Sequence, residues 1–370
     1  MADYACRVFR MKKTEKIKLP YIVLALVLAL SGVYFGIITT DIKENDCIET
    51  QKNAAFKMAD AEAYLRDKVI EAGIEFDFED LNQTGLMGPE FTELTSTPGN
   101  PSAKRTSLNP NFAAAIVRYY TDAGLKKGDT VAIGTSGSFP GLAIASIIAG
   151  SEMGLDVRVI ASLGSSMHGA TRPEFNIFDI LDHLKDGGFA DFDLLAVSPG
   201  GYNDEGGGTL EGVIYFGTKE LSQKICAESG YYVILHDDLA DNIQERLEIF
   251  GDGIDMFVNV GGASTNNGAS SYTQSFPQGL VLDPPPIPTT PYRGLSYEYA
   301  AQGLPVLNLL NVRGLADENG IMYDPVPMEE PGNSGVYYSI SYNIPLIIIF
   351  LLLSVSTIVF GYLKGRKHEA

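Results

Sequence analysis

The stretch Asp129-Thr130-Val131-Ala132-Ile133-Gly134-Thr135-Ser136-Gly137-Ser138-Phe139-Pro140-Gly141 decides the reading of the fold. Val131, Ala132 and Ile133 form an apolar run of the length of a buried strand. Gly134 to Ser138 make a small, hydroxyl-rich turn. Residues 139–153 are apolar and alanine-rich, and Pro140 fits the first turn of a helix, where its missing N–H leaves nothing unsatisfied. Strand, turn and helix thus follow one another. A helix starting there directs free N–H groups and a partial positive charge at the turn. That arrangement suits a carboxylate or a phosphate. No Gly-Lys-Ser/Thr follows, so it is not a Walker loop, and the G-x-G-x-x-G spacing of dinucleotide sites is absent. A tight connection without a ligand is the alternative.

Outward from this stretch the alternation is regular. Strands are expected at 157–163, 194–197, 231–235, 256–260 and 305–310, with helices at 112–124, 175–184, 221–229 and 239–250. Alternating strands and helices imply an α/β fold: a doubly wound, mostly parallel sheet with helices on both faces. The near-continuous apolar strands fit burial on two sides. Residues 52–72 read as an amphipathic stalk or packing helix. Residues 82–111 are rich in turn residues and are expected as a loop. Residues 277–291 carry six prolines and are expected as an irregular crossing.

Two segments are apolar enough to span a bilayer, 21–40 and 343–363. Arg7, Arg10, Lys12, Lys13, Lys16 and Lys18 precede the first, and Lys364, Arg366 and Lys367 follow the second. Positive flanks stay in the cytoplasm. The expected order is therefore a basic cytoplasmic tail (1–20), a transmembrane helix (21–40), a stalk helix with a turn-rich loop (41–111) and an extracytoplasmic α/β domain (112–323). A linker (324–342), a second transmembrane helix (343–363) and a cytoplasmic tail (364–370) follow. A cleaved signal peptide is the alternative for the first span, but no small-x-small cleavage site follows it.

The chain carries 27 basic and 46 acidic residues, a net charge of −19. Between the two spans stand 18 basic and 43 acidic residues. That excess argues against nucleic acid and anionic lipid as partners. Three cysteines rule out a disulfide framework; Cys47 and Cys226 can pair or stay free.

In doubly wound sheets ligands bind beyond the carboxyl ends of the strands. Four glycine- or serine-rich turns fall at such ends: 136–138, 165–166, 200–208 and 261–264. Ser136, Gly137, Ser138, Ser165, Ser166, Gly261, Gly262 and Ser264 are therefore expected along one sheet edge, where they offer hydroxyls and N–H groups to carboxylates or amides. Lys104, Arg105 and Thr106, a rare cationic spot in an acidic domain, are expected to complete that site. Neither a cofactor nor a metal is expected. Ser136, Ser165 and His168 are the candidates for a serine–histidine nucleophile system, which needs a third, orienting group. His236-Asp237-Asp238 and Asn203-Asp204-Glu205 offer ligand atoms without diagnostic spacing, and Asp238 serves equally as an N-cap.

Several of these segments resemble the poly-gamma-glutamate system protein family, the W component of some bacterial synthesis clusters. The resemblance rests on the runs 84–92 (TGLMGPEFT) and 103–114 (AKRTSLNPNFAA), on Gly128 to Ala132 and on Ser136 to Pro140. Arg172-Pro173-Glu174-Phe175 and the glycines at 200–201 and 206–208 extend it. It covers roughly residues 50–300. It implies a bacterial cell-membrane protein that accompanies the ATP-dependent ligase and the small membrane subunit that make the γ-linked glutamate polymer; that the anionic γ-glutamyl polymer binds at the sheet edge is the expectation of the accessory role below. It implies no defined reaction and no catalytic residue set. Three roles compete: an extracytoplasmic accessory of polymer synthesis or export, a γ-glutamyl hydrolase or transferase using a serine with His168, and a purely structural partner of the synthase subunits.

Overall fold

The computed structural model describes residues 17–208, 218–270 and 275–367. Most of the N-terminal basic tail, with Cys6, and His368 lie outside them. The chain divides into two units, one formed by residues up to 45 with those from 338 onward, the other by 46–337.

A six-stranded sheet organises the larger unit. Its strands are β1 (Thr130–Ser136), β2 (Asp156–Ser162), β3 (Asp193–Ser198), β4 (Met256–Val260), β5 (Gly279–Val281) and β6 (Val306–Leu309), in the spatial order β5-β6-β4-β1-β2-β3. Every neighbouring pair is parallel except β5 with β6. All seven residues of β1 are buried, because both faces of the sheet are covered. Side chains alternate across a strand: Val131 and Ile133 enter one core, and Ala132 enters the other. The first core takes helices Ile48–Glu71, Asn111–Asp122, Pro140–Met153 and Ile177–Asp186. The second takes Leu239–Phe250 and Leu295–Ala301.

The chain winds outward from β1 through β2 to β3, then returns to place β4 on the other side of β1. The winding reverses between β1 and β4. Turns at the carboxyl ends of these two strands therefore diverge and leave a crevice.

Several elements differ from expectation or decide between alternatives. Helix Ile48–Glu71, expected as a stalk or packing helix, is a packing helix of the core. Ala54, Met58, Ala61, Leu65 and Val69 recur at helical spacing and are fully buried. Each large apolar side chain so buried contributes about 1.5–3 kcal/mol. The expected strand at 231–235 shrinks to a single bridge between Val233 and Val197, with Tyr232 and Leu235 exposed. The proline-rich crossing contains β5, which lies at the sheet edge, where proline neighbours are tolerated. The linker is stitched to the domain: Val336 and Tyr337 are fully buried, and Asn109 Nδ2 donates to Glu329 at 2.9 Å.

The smaller unit is a hairpin of two helices, Leu19–Ile38 and Ile344–Lys367, joined beyond their ends by antiparallel strands Asp41–Glu44 and Tyr338–Ser341. Both helices are long and apolar enough to cross a membrane, with mean hydropathy of 2.4 and 2.6 over their apolar stretches. Small residues set their approach. A Cβ on Gly32 would stand 2.7 Å from Phe350, and one on Gly361 2.7 Å from Tyr21. Ser354 Oγ donates to the Ala25 carbonyl at 2.9 Å. Small side chains and hydroxyl hydrogen bonds are what hold helices together where no hydrophobic drive exists.

Candidate functional site

A cavity of about 500 Å³ opens at the carboxyl ends of the strands. Ser136 lines it at the end of β1 with Ser138 and Phe139 beyond, Ser162 at the end of β2 with Gly164 and Ser166 beyond, Gly200 to Asn203 after β3, and Gly262 to Ser264 after β4. Ser96, Thr97 and Asn100 close the wall from a preceding segment, where strand Thr95–Thr97 runs parallel to Ser165–Ser166. Close backbone approach requires glycine at two places. Gly261 has φ +90, and a Cβ there would lie 2.6 Å from Ser136 Oγ. Gly201 has φ +72, and its Cβ would stand 1.9 Å from the Gly207 carbonyl oxygen.

Lys104 reaches this cavity from the short helix Pro101–Ser107, which the sequence reading took for loop. Its start is encoded locally. Asn100 accepts from the N–H groups of Ser102 and Ala103 at 2.9 and 3.4 Å, and Pro101 takes the first position. Successive helical residues point about 100° apart. Lys104 and Arg105 therefore diverge.

Lys104 is 2 % exposed. Its Nζ donates to the Ser138 carbonyl, lies 2.6 Å from Ser166 Oγ and sits 3.9 Å over the Phe139 ring. Burial alone pushes the ammonium down from its usual range to about 7. The two serine segments are linked as well, since the Ser166 backbone N–H donates to Ser138 Oγ at 3.1 Å. Helix Pro140–Met153 begins beside them without a side-chain cap.

No match is found among family models, curated proteins or solved structures.

The other expected site residues fall in several places. Ser136, Ser138, Ser166, Gly262 and Ser264 line the cavity with Lys104. Gly137, Ser165 and Gly261 lie behind it as spacers; Ser165 Oγ is 2.9 Å from the Gly137 carbonyl oxygen. Arg105 turns away: its guanidinium bonds Asp324 at 2.6 and 2.9 Å and Glu79 at 2.8 Å. Thr106 accepts from the Asp324 N–H at 2.9 Å, also outside the cavity. Both hold the segment around 324 onto the domain.

His168 does not pair with a serine. It is buried with φ +62, its Nδ1 has no hydrogen-bond partner, and Asp77 lies 3.9 Å off. The serine–histidine arrangement is therefore absent from this geometry. Among the described residues no cluster of potential metal ligands forms. Asp238 caps helix Leu239–Phe250 through the Ala240 N–H at 2.8 Å, and His236 Nε2 lies 2.7 Å from Glu245. Asp204 is buried against Arg246 at 2.7 Å and accepts from Ser198 Oγ at 2.8 Å. Burial pushes its carboxyl up, while the guanidinium beside it opposes the rise. This pair lies behind the cavity wall, because Ser198 Oγ is 2.9 Å from Ser162 Oγ. Cys47 and Cys226 are both free.

Arg172, quoted for the family resemblance, acts as a clamp: it is buried and donates to the carbonyls of Gly85 at 3.0 Å and Glu75 at 3.2 Å. The lining residues Ser96, Thr97 and Ser162 were missed, while Tyr202 belongs to the turn 200–208 that was expected at this edge. Their positions depend on long-range register, which leaves no short-range signal.

Proposed function

We propose that this chain is a membrane-anchored accessory of poly-γ-glutamate synthesis or export, and that its cavity binds carboxylates of the anionic polymer. In this reading both terminal helices span the cytoplasmic membrane, both ends are cytoplasmic, and the 46–337 domain lies outside. The synthase's ligase and membrane subunits are its partners.

One observation carries the reading. Among the described residues the cavity is lined by one cation, Lys104, by eight hydroxyl side chains and by no acid. The chain around it has a net charge of −19. A polyanion is repelled by most of such a surface, so it binds where local charge, hydroxyls and N–H groups outweigh the general field. The uncapped helix at Pro140 adds N–H groups and a partial positive charge beside that place. The basic flanks of the two apolar helices and the sequence resemblance support the membrane setting and the polymer.

Deleting the gene in its host and measuring polymer separately inside and outside the cell tests the role. Polymer made but retained, or a fall in total polymer, is expected. Unchanged amount, length and location would overturn the proposal.

A further inference from the structure

The proposed carboxylate binding uses Lys104 as a cation, and its surroundings also accommodate the neutral amine. Nζ has two polar neighbours, the Ser138 carbonyl and Ser166 Oγ. A carbonyl can only accept. A neutral amine has two N–H groups and one lone pair. With one N–H given to the Ser138 carbonyl, the lone pair can face the Ser166 hydroxyl at 2.6 Å. Among the described residues no carboxylate lines the cavity to hold the ammonium form. Ser166 lines the same cavity and is 8 % exposed, so a ligand seated there reaches its hydroxyl.

We infer that Lys104 and Ser166 form a base–nucleophile pair that cleaves an acyl bond, an amide or ester of a carboxylic acid, in this cavity. Lysine-activated serines are one of the known variants of nucleophilic acyl transfer. The neutral Lys104 amine takes the Ser166 proton as Oγ bonds to the carbonyl carbon. The tetrahedral intermediate collapses, the carbon–nitrogen or carbon–oxygen bond breaks, and the leaving amine or alcohol takes the proton from Lys104. Water then attacks the acyl ester, gives a proton to Lys104 and frees the acid, and Ser166 recovers its proton. The uncapped first turn of helix Pro140–Met153 offers N–H groups beside the cavity for the developing oxyanion. Burial that brings the lysine to about 7 leaves a large neutral fraction at neutral pH. The γ-glutamyl amide is the substrate class if the binding reading above holds, and this last step rests on it.

The probe is a fluorophosphonate, applied to the full chain in detergent, with the modified peptide mapped by mass spectrometry. Labelling is expected at Ser166, at a rate that rises with pH through about 7. Ser166→Ala should abolish it while keeping the thermal transition. Lys104→Arg keeps the charge but offers no base at this pH, and Lys104→Met removes both. Each should slow labelling at least hundredfold. The parent's pH profile and Ser166→Ala decide the matter even if a Lys104 variant fails to fold. Absence of labelling in the parent, labelling elsewhere, or an unchanged rate in folded Lys104→Arg would overturn the inference. Titration with γ-linked glutamate oligomers separates the two readings. Oligomer binding without labelling overturns the base–nucleophile pair and leaves the binding proposal. Labelling without oligomer binding keeps the pair and overturns the γ-glutamyl substrate.

Discussion

Replacing Lys104 by methionine tests whether the buried amine is as hard to charge as its surroundings imply. Methionine keeps the flexible apolar stem and removes the ionisable head. Burial lowers the folded lysine from about 10.5 to about 7. Between those values the unfolded chain holds a proton that the folded chain has lost, so the parent's stability rises with pH across that window. At pH 6 both states are charged and the burial cost on the parent is close to its full value, on the order of 5 kcal/mol. At pH 9 the folded amine is neutral, and the remaining cost is on the order of 2 kcal/mol. The variant also leaves the Ser138 carbonyl unpaired, which costs about 1–3 kcal/mol at either pH. That cost cancels in the comparison. Stability of the variant relative to the parent should therefore be about 2.5 kcal/mol more favourable at pH 6 than at pH 9. Urea unfolding of the full chain in detergent, followed at both pH values, measures it. The same relative stability at both, within about 0.5 kcal/mol, would refute a buried lysine titrating near neutrality.

Further outcomes follow from other contacts. Arg246→Ala leaves Asp204 charged and buried without its partner, and should destabilise by about 3–5 kcal/mol in the same unfolding assay. Arg105→Ala breaks the bonds to Asp324 and Glu79, which should lower stability by roughly 1–3 kcal/mol and leave oligomer affinity unchanged; an affinity loss would return Arg105 to the site. Gly261→Ala forces a side chain onto φ +90 and against Ser136, so it should weaken oligomer binding, checked by calorimetry on the folded variant. A reporter active only in the cytoplasm should work when fused at position 370 and fail when inserted near Pro285; the opposite pattern would overturn the membrane topology.

The sheet was legible because its signals are local and redundant. The apolar run at Val131 to Ile133, the serine turn and Pro140 together specify strand, turn and helix within a dozen residues. Alternation then implies parallel pairing, and the reversal beside β1 follows from the strand order. The cavity was half legible for the same reason. Turns at strand ends must share an edge, so Ser136, Ser138, Ser166 and Ser264 meet. What escaped was rotation and reach. Lys104 and Arg105 are adjacent in sequence, but a short helix turns them to opposite tasks. The cap at Asn100-Pro101 marked that helix and was submerged in a turn-rich composition. His168 follows Ser166 by two residues, yet its backbone turns left-handed and carries the ring away from the cavity. Proximity in a loop does not fix direction.

The central claim is that the cavity binds carboxylates through the Lys104 cation, and titration of the detergent-solubilised full chain with γ-linked glutamate oligomers tests it most directly. The measurement runs at low salt and at pH 6 and 8.5, with Lys104→Met and Arg105→Ala alongside. A charge-assisted contact is worth about 1.5–3 kcal/mol. Binding by the parent is therefore expected to weaken roughly tenfold or more in Lys104→Met and to persist in Arg105→Ala. Parent affinity should fall as pH rises through about 7, where Lys104 loses its charge. No binding by the parent at pH 6 and low salt, or equal affinity in the folded Lys104→Met variant, would contradict the account.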